Sequence, residues 1–129
     1  MAIIKNAEIY FVKVDPKRPT EKMSPGKPRW EVQLRTRDKA TRDEWVKQNL
    51  HIKLKEDNDG IYYRVNLQKN AFKQDKTAAD PVILTDGRMK PLQSNTVGNG
   101  SIANVRVFQS EYEYNGKKDI RSTLMQIQV

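Results

Sequence analysis

The feature that most restricts how this chain can fold is a two-residue alternation of apolar and polar side chains, broken once by a tight-turn signal. In His51–Gln68 (HIKLKEDNDGIYYRVNLQ), Ile52 and Leu54 alternate with His51, Lys53 and Lys55. Beyond the turn, Ile61, Tyr63, Val65 and Leu67 alternate with Tyr62, Arg64, Asn66 and Gln68. That period puts successive side chains on opposite faces of a strand, whereas a helix would scatter them around its circumference. Asn58-Asp59-Gly60 stands between the two runs, and a tight reversal needs residues that tolerate positive φ. The segment is therefore predicted to be a β-hairpin with its aliphatic residues facing a core. Its other face presents Lys53, Lys55 and Arg64 around Tyr62. Cations interleaved with a flat ring suit phosphates and bases together.

The rest of the chain supplies partners for that hairpin. Ala7–Val14 (AEIYFVKV) is predicted as the first strand, its nearly continuous apolar run indicating burial on both sides. Pro16–Pro28 holds four prolines and a glycine with Lys17, Arg18, Lys22 and Lys27, so neither a helix nor an inner strand passes through it. It is either a basic flap over a ligand or a solvated connection; long structureless loops in compact domains are often functional. Arg29–Arg37 (RWEVQLRTR) is the second strand, with Trp30, Val32 and Leu34 on one face and Glu31, Gln33, Arg35 and Arg37 on the other. Over Asp38–Leu50 the composition turns helical, Thr41 and Glu44 reading as a capping box and Trp45 as a core plug in preference to a base-stacking ring.

After the hairpin, Lys69–Asp80 is polar and loop-like. Phe72, between Lys69 and Lys73, is either a loop anchor or a stacking residue. Pro81–Leu84 with Asp86-Gly87 marks a short strand and turn. Ser101–Tyr114 (SIANVRVFQSEYEY) is a long strand with Ala103, Val105 and Val107 on one side and Asn104, Arg106, Phe108, Ser110 and Tyr112 on the other. A cation again neighbours an aromatic ring, and Ile102, Phe108 and Tyr112 compete with Val105 and Val107 for the core. Asn115-Gly116 then turns the chain into a final strand, Ile120–Val129.

Six or seven strands, one short helix and long loops within 129 residues predict one all-β domain spanning 1–129. The expected architecture is an OB-fold-like five-stranded Greek-key barrel with extra strands and long loops, because closure removes exposed strand edges; a small β-sandwich is the alternative. Lys and Arg number 24 against 16 Asp and Glu, a formal net charge of +8, which favours acidic partners through steering and counterion release. A chain without cysteine forms no disulfide or thiolate metal site, and one histidine leaves little for zinc. The N-terminal apolar run is too short for a signal peptide and no segment is long enough to span a bilayer, so a cytosolic protein without membrane contacts is expected.

Catalysis finds little support. His51 opens a strand and is expected to be solvated. No serine lies in a nucleophile elbow, and Gly98-Asn99-Gly100-Ser101 lacks the lysine and following helix of a phosphate loop, so it is expected to be a tight bend. Asp75, Asp80 and Asp86 are the acids that could gather magnesium in a nuclease, but they stand at turn positions. No enzyme activity, cofactor or metal site is expected. The candidate binding residues are Arg35, Arg37, Lys53, Lys55 and Arg64 for phosphates, Tyr62 and Phe108 for bases, with Lys69, Phe72 and Arg106 beside them.

Several short motifs carry a resemblance. Pro81-Val82-Ile83-Leu84, Asp86, and Val97-Gly98-Asn99-Gly100-Ser101 leading through Ala103-Asn104-Val105 to Ile127-Gln128-Val129 resemble the bacteriophage single-stranded DNA-binding proteins of the T7 and Enc34 type. Ala7 at the first strand, Trp30-Glu31-Val32 in the second, and Gly60 with Tyr62, Tyr63 and Arg64 before a basic loop agree with it. The resemblance covers most of the chain, and GNGS entering a strand is its most specific piece. It implies an OB-fold that binds single-stranded DNA without sequence preference during phage replication and recombination, in the cytoplasm of the infected bacterium and without enzymatic activity. Phage replication proteins and a homodimer are the further partners it implies. Members typically finish with a flexible acidic tail, whereas this sequence stops at Val129 on a strand. An RNA-binding or general nucleic-acid module on the same barrel is the main alternative, a metal-dependent nuclease a weaker one, and a purely structural phage protein a third.

Overall fold

A computed structural model of the protein describes residues 2–21, 25–73 and 75–129. In chain order its elements are β1 (Ala2–Lys13), β2 (Arg29–Thr36), α1 (Lys39–Lys47), β3 (Lys53–Asp57), β4 (Gly60–Asn70), β5 (Ile83–Thr85), a single 3-10 turn at Ser94–Thr96, β6 (Ser101–Tyr114) and β7 (Lys117–Gln128). The hydrogen-bonded order is β3-β4-β2-β1-β6-β7-β5, and β4 meets β7 again in parallel through Gln68 and Thr123. That one contact closes β1, β2, β4, β7 and β6 into a five-stranded barrel, with β3 and β5 outside the ring. The architecture is all-β and OB-fold-like, as the strand pattern implied.

Alternation explains the core. Ile9, Leu34, Val105, Val107, Leu124 and Ile127 are completely buried inside the ring, each contributing about 1.5–3 kcal/mol through lost apolar exposure. Val105 and Val107 therefore win the inward face of β6, and Ile102 and Phe108 stand outside, each about half exposed. Trp45 is buried as the plug of α1 and its neighbourhood.

Four expectations need correction. The first strand begins at Ala2, not Ala7, and its apolar run is not buried on both sides. Bulges at Asn6 and Phe11, both at φ 53°, shift its register and leave Ile3 and Phe11 exposed. The helix is capped by Asp38, whose carboxylate accepts the Thr41 N–H at 3.0 Å and hydroxyl at 2.7 Å. Thr41 thus lies inside the first turn, and its hydroxyl holds the Asp38 carboxyl below its ordinary pKa, helped by the backbone N–H. In the hairpin, β3 starts at Lys53, and Leu54 and Ile61 are exposed rather than in the core, because β3 lies outside the ring and pairs only with β4. Finally, β7 begins at Lys117, three residues earlier than its composition suggested, and pairs with β6 from the Asn115-Gly116 turn onward. Of the proline-rich segment, Lys22, Met23 and Ser24 lie outside the described residues; its stem is fixed by a bridge between Thr20 and Arg29.

Candidate nucleic-acid interface

Register assembles the site. Directly opposed residues of antiparallel strands share a face, and Arg35 of β2 opposes Arg64 of β4, which opposes Lys53 of β3. One step along, Tyr62 opposes Lys55. On the other flank β1 places Glu8 opposite Arg35 and Tyr10 opposite Gln33. The outward faces of β1, β2, β4 and β3 thus form one continuous surface, with the row Arg35–Arg64–Lys53 crossing it.

Three cations in one row repel one another. Glu8, the carboxylate at the row's end, is engaged by the Tyr10 hydroxyl, which donates to it; that bond, with burial, raises the phenol's pKa above its ordinary value. The Nε of Arg64 is buried and has no hydrogen-bond partner among the described residues. Buried donors are nearly always satisfied, so an unsatisfied one calls for a specific explanation. Here an excess of positive charge and an unused donor coincide on one surface.

Arg35 is the centre of that surface. Its guanidinium lies 4.3 Å from the Tyr10 ring centroid, 5.3 Å from Phe11 and 4.9 Å from Tyr62, contacts worth about 0.5–1 kcal/mol each at exposed sites. The Arg35 Nε donates to Gln33 Oε1 at 2.6 Å, and the Gln33 amide donates in turn to Asn66 Oδ1 at 2.9 Å. Arg37 covers Tyr62 from 5.4 Å but is tethered, its Nη2 pairing with Asp57 at 2.5 Å and its Nη1 donating to the Ile61 carbonyl at 3.5 Å. The pairing with Asp57 is the main reason the Asp57 pKa lies below, and the Arg37 pKa above, its ordinary value. Arg37 therefore ties the hairpin tip to the end of β2 at the edge of the site.

The fold places Arg35, Arg37, Lys53, Lys55, Tyr62 and Arg64 together on this surface. Lys69 and Phe72 lie further along, where β4 leaves the cluster: Lys69 opposes Trp30, and both Lys69 and Phe72 line a cleft of about 850 Å³ between β4 and β7. Arg106 and Phe108 are not brought to the cluster. Arg106 opposes Ile3 of β1 and Gln126 of β7, and Phe108 opposes Thr123, while β6 bonds neither β2 nor β4. Asp75 and Asp86 serve turns, accepting from Thr77 and from the Arg88 and Lys90 amides. His51 is exposed beside Asp119 at 3.2 Å.

Sequence reasoning missed Tyr10 and Phe11. Alternation assigns one of two adjacent residues to the core, and only the bulge, with Phe11 at positive φ, turns both rings toward Arg35. The adjacent aromatic pair was the available signal. What fixes the bulge is Asn99, whose Oδ1 accepts the Phe11 N–H at 2.8 Å.

No protein-family model matches the sequence, and no curated protein is significantly similar to it. Solved structures do match. The single-stranded DNA-binding protein of bacteriophage Enc34, in complex with single-stranded DNA, aligns over 98% of this chain and 83% of its own with a TM-score of 0.59 and 12% identity. The single-stranded DNA-binding protein gp2.5 encoded by bacteriophage T7 aligns over 99% of this chain and 88% of its own, with a TM-score of 0.59 and 17% identity. The fold is that of the phage single-stranded DNA-binding proteins. Within this fold the GNGS bend braces β1. The Gly100 N–H, at φ +90°, donates to the Ile9 carbonyl at 2.8 Å while Asn99 holds Phe11. The segment that carries the most specific resemblance thus buttresses the ring cluster.

Proposed function

We propose that the protein binds single-stranded DNA without sequence preference in phage replication and recombination in the host cytoplasm, and catalyses no reaction on it. The observation that carries this is Arg35 held among Tyr10, Phe11 and Tyr62 beside the row Arg35–Arg64–Lys53. Phosphates relieve the repulsion within the row and release counterions from the strand. Bases stack on the rings, each worth about 1–3 kcal/mol, and every base has a π-face, so sequence matters little. A duplex offers phosphates but hides its base faces. Replication proteins and a second copy of the chain are the further partners this function implies.

The test is fluorescence anisotropy of a labelled dT oligomer at several salt concentrations, with a duplex and a matched RNA as competitors. Tight, salt-dependent binding that the duplex displaces poorly supports the proposal. Equal competition by duplex refutes base stacking, and stronger competition by RNA reassigns the surface to RNA.

A further inference from the structure

We infer that the bound strand does not end at the Arg35 cluster but runs along β4 into the cleft at the barrel's seam, where a second set of cations holds its phosphates. This rests on the function proposed above and adds to it a second contact site.

The seam is where the ring is weakest. Among the described residues β3 accompanies β4 only from Gly60 to Arg64, and β4 pairs with β7 only at Gln68 and Thr123. Along Val65–Asn70 the strand therefore has β2 on one side and open space on the other, and this space is the cleft of about 850 Å³. Lys27, Arg29, Lys69, Lys73 and Arg121 line it against one carboxylate, Asp80, among the described residues. Charge of one sign gathered in a concave surface focuses the field and concentrates anions. Two rings accompany the charge: Phe72 is half exposed, and Tyr112 carries the Arg121 guanidinium 5.0 Å from its centroid. The cleft thus repeats the chemistry of the Arg35 cluster, cations beside flat faces, on residues contributed by different elements.

Continuity decides the occupant. Tyr62, Arg64, Asn66 and Gln68 form one outward row on β4; the first two belong to the Arg35 cluster and the last two line the cleft. Asn66 is bonded to the cluster through Gln33, and Gln68 accepts from Arg29 at the cleft. From Tyr62 to Asn70 the row spans about 26 Å at roughly 3.3 Å per residue. An extended polyanion leaving Tyr62 along this row reaches the cleft past one carboxylate, Glu31, which opposes Gln68 on β2.

The experiment measures affinity against length, with dT oligomers graded across the about 4–16 nucleotides that one OB-fold covers. Wild-type protein is compared with Lys69→Gln/Lys73→Gln/Arg121→Gln and with a control that removes charge elsewhere, Lys117→Gln/Lys118→Gln. Both variants are checked for native circular dichroism, and the exposed loop substitution Lys73→Glu alone serves if the triple variant does not fold. The shortest oligomers that bind are expected to bind wild type and cleft variant alike. Long oligomers should lose roughly tenfold or more in the cleft variant, with the salt slope reduced by about two at ~0.7 per lost contact. The control should keep the wild-type dependence on length. An unchanged length dependence in the cleft variant, or an equal loss in the control, overturns the inference. Failure of wild type to bind short and long strands alike would instead refute the proposed function itself.

Discussion

Two stretches of this molecule carry the same sequence signature and end in different surroundings. In β4, Tyr62 and Arg64 alternate outward; in β6, Arg106 and Phe108 do. Around the first pair, neighbouring strands place Arg35, Lys53 and Lys55 directly across, and β1 adds Tyr10 and Phe11. Around the second, the cross-strand neighbours are Ile3, Gln126 and Thr123. A cation beside a ring on one strand is half a site. What completes it is the residue on the next strand, about 4.8 Å away, which alternation alone does not reveal.

The largest expected difference between the two regions is in affinity. Tyr62→Ala should weaken binding of single strands about 5- to 150-fold, the equivalent of one stacked base, with the salt slope unchanged. Arg35→Ala should do at least as much and also lower the slope, because one guanidinium serves both rings and phosphates. Phe108→Ala should leave affinity near wild type. Equal losses from Tyr62→Ala and Phe108→Ala in the same anisotropy titration would break the comparison and return Phe108 to the interface.

Next in size is the phosphate contribution. Arg64→Ala should lower the slope of log affinity against log salt by about one contact's worth, ~0.7 on a single strand, and Arg106→Ala by none. Arg64→Ala has a second expected consequence. Because it removes a buried Nε without a partner among the described residues and breaks up a row of cations, the free protein should melt no lower than wild type. A clear fall in Tm would show that the row is held together by something other than a bound anion.

How far the sequence reached follows from these surroundings. The hairpin, its turn, the inward faces of β2 and β6 and the barrel class were all legible, because period-two alternation is a local property. Arg35, Tyr62 and Arg64 were legible as outward residues for the same reason. Phe11 was not, since its exposure depends on a positive φ and on a hydrogen bond to Asn99, 88 residues away in sequence. Leu54 and Ile61 were misassigned to the core because alternation cannot report that a hairpin tip lies beyond the ring. Asn99→Ala sharpens this lesson. It leaves every ring and cation in place but frees the Phe11 bulge, and a loss of about 2- to 5-fold in affinity is expected, smaller than for Tyr62→Ala, as one hydrogen bond worth about 1 kcal/mol implies.

The smallest expected effect is of pH, and its sign is fixed by Arg37. The Arg37–Asp57 pair ties the hairpin tip to the end of β2 and keeps the Arg37 guanidinium beside Tyr62, and this bond depresses the Asp57 pKa below the ordinary value of about 3.9. A depressed carboxyl contributes its full stabilisation above the ordinary value and loses it only as pH falls through the folded one. Between pH ~7 and ~5 the tie should therefore be constant, and neither Tm nor affinity for short oligomers should move on its account. Asp57→Asn should weaken short-strand binding slightly at every pH in that window, without a titration step. A step within that window that Asp57→Asn abolishes would overturn this assignment.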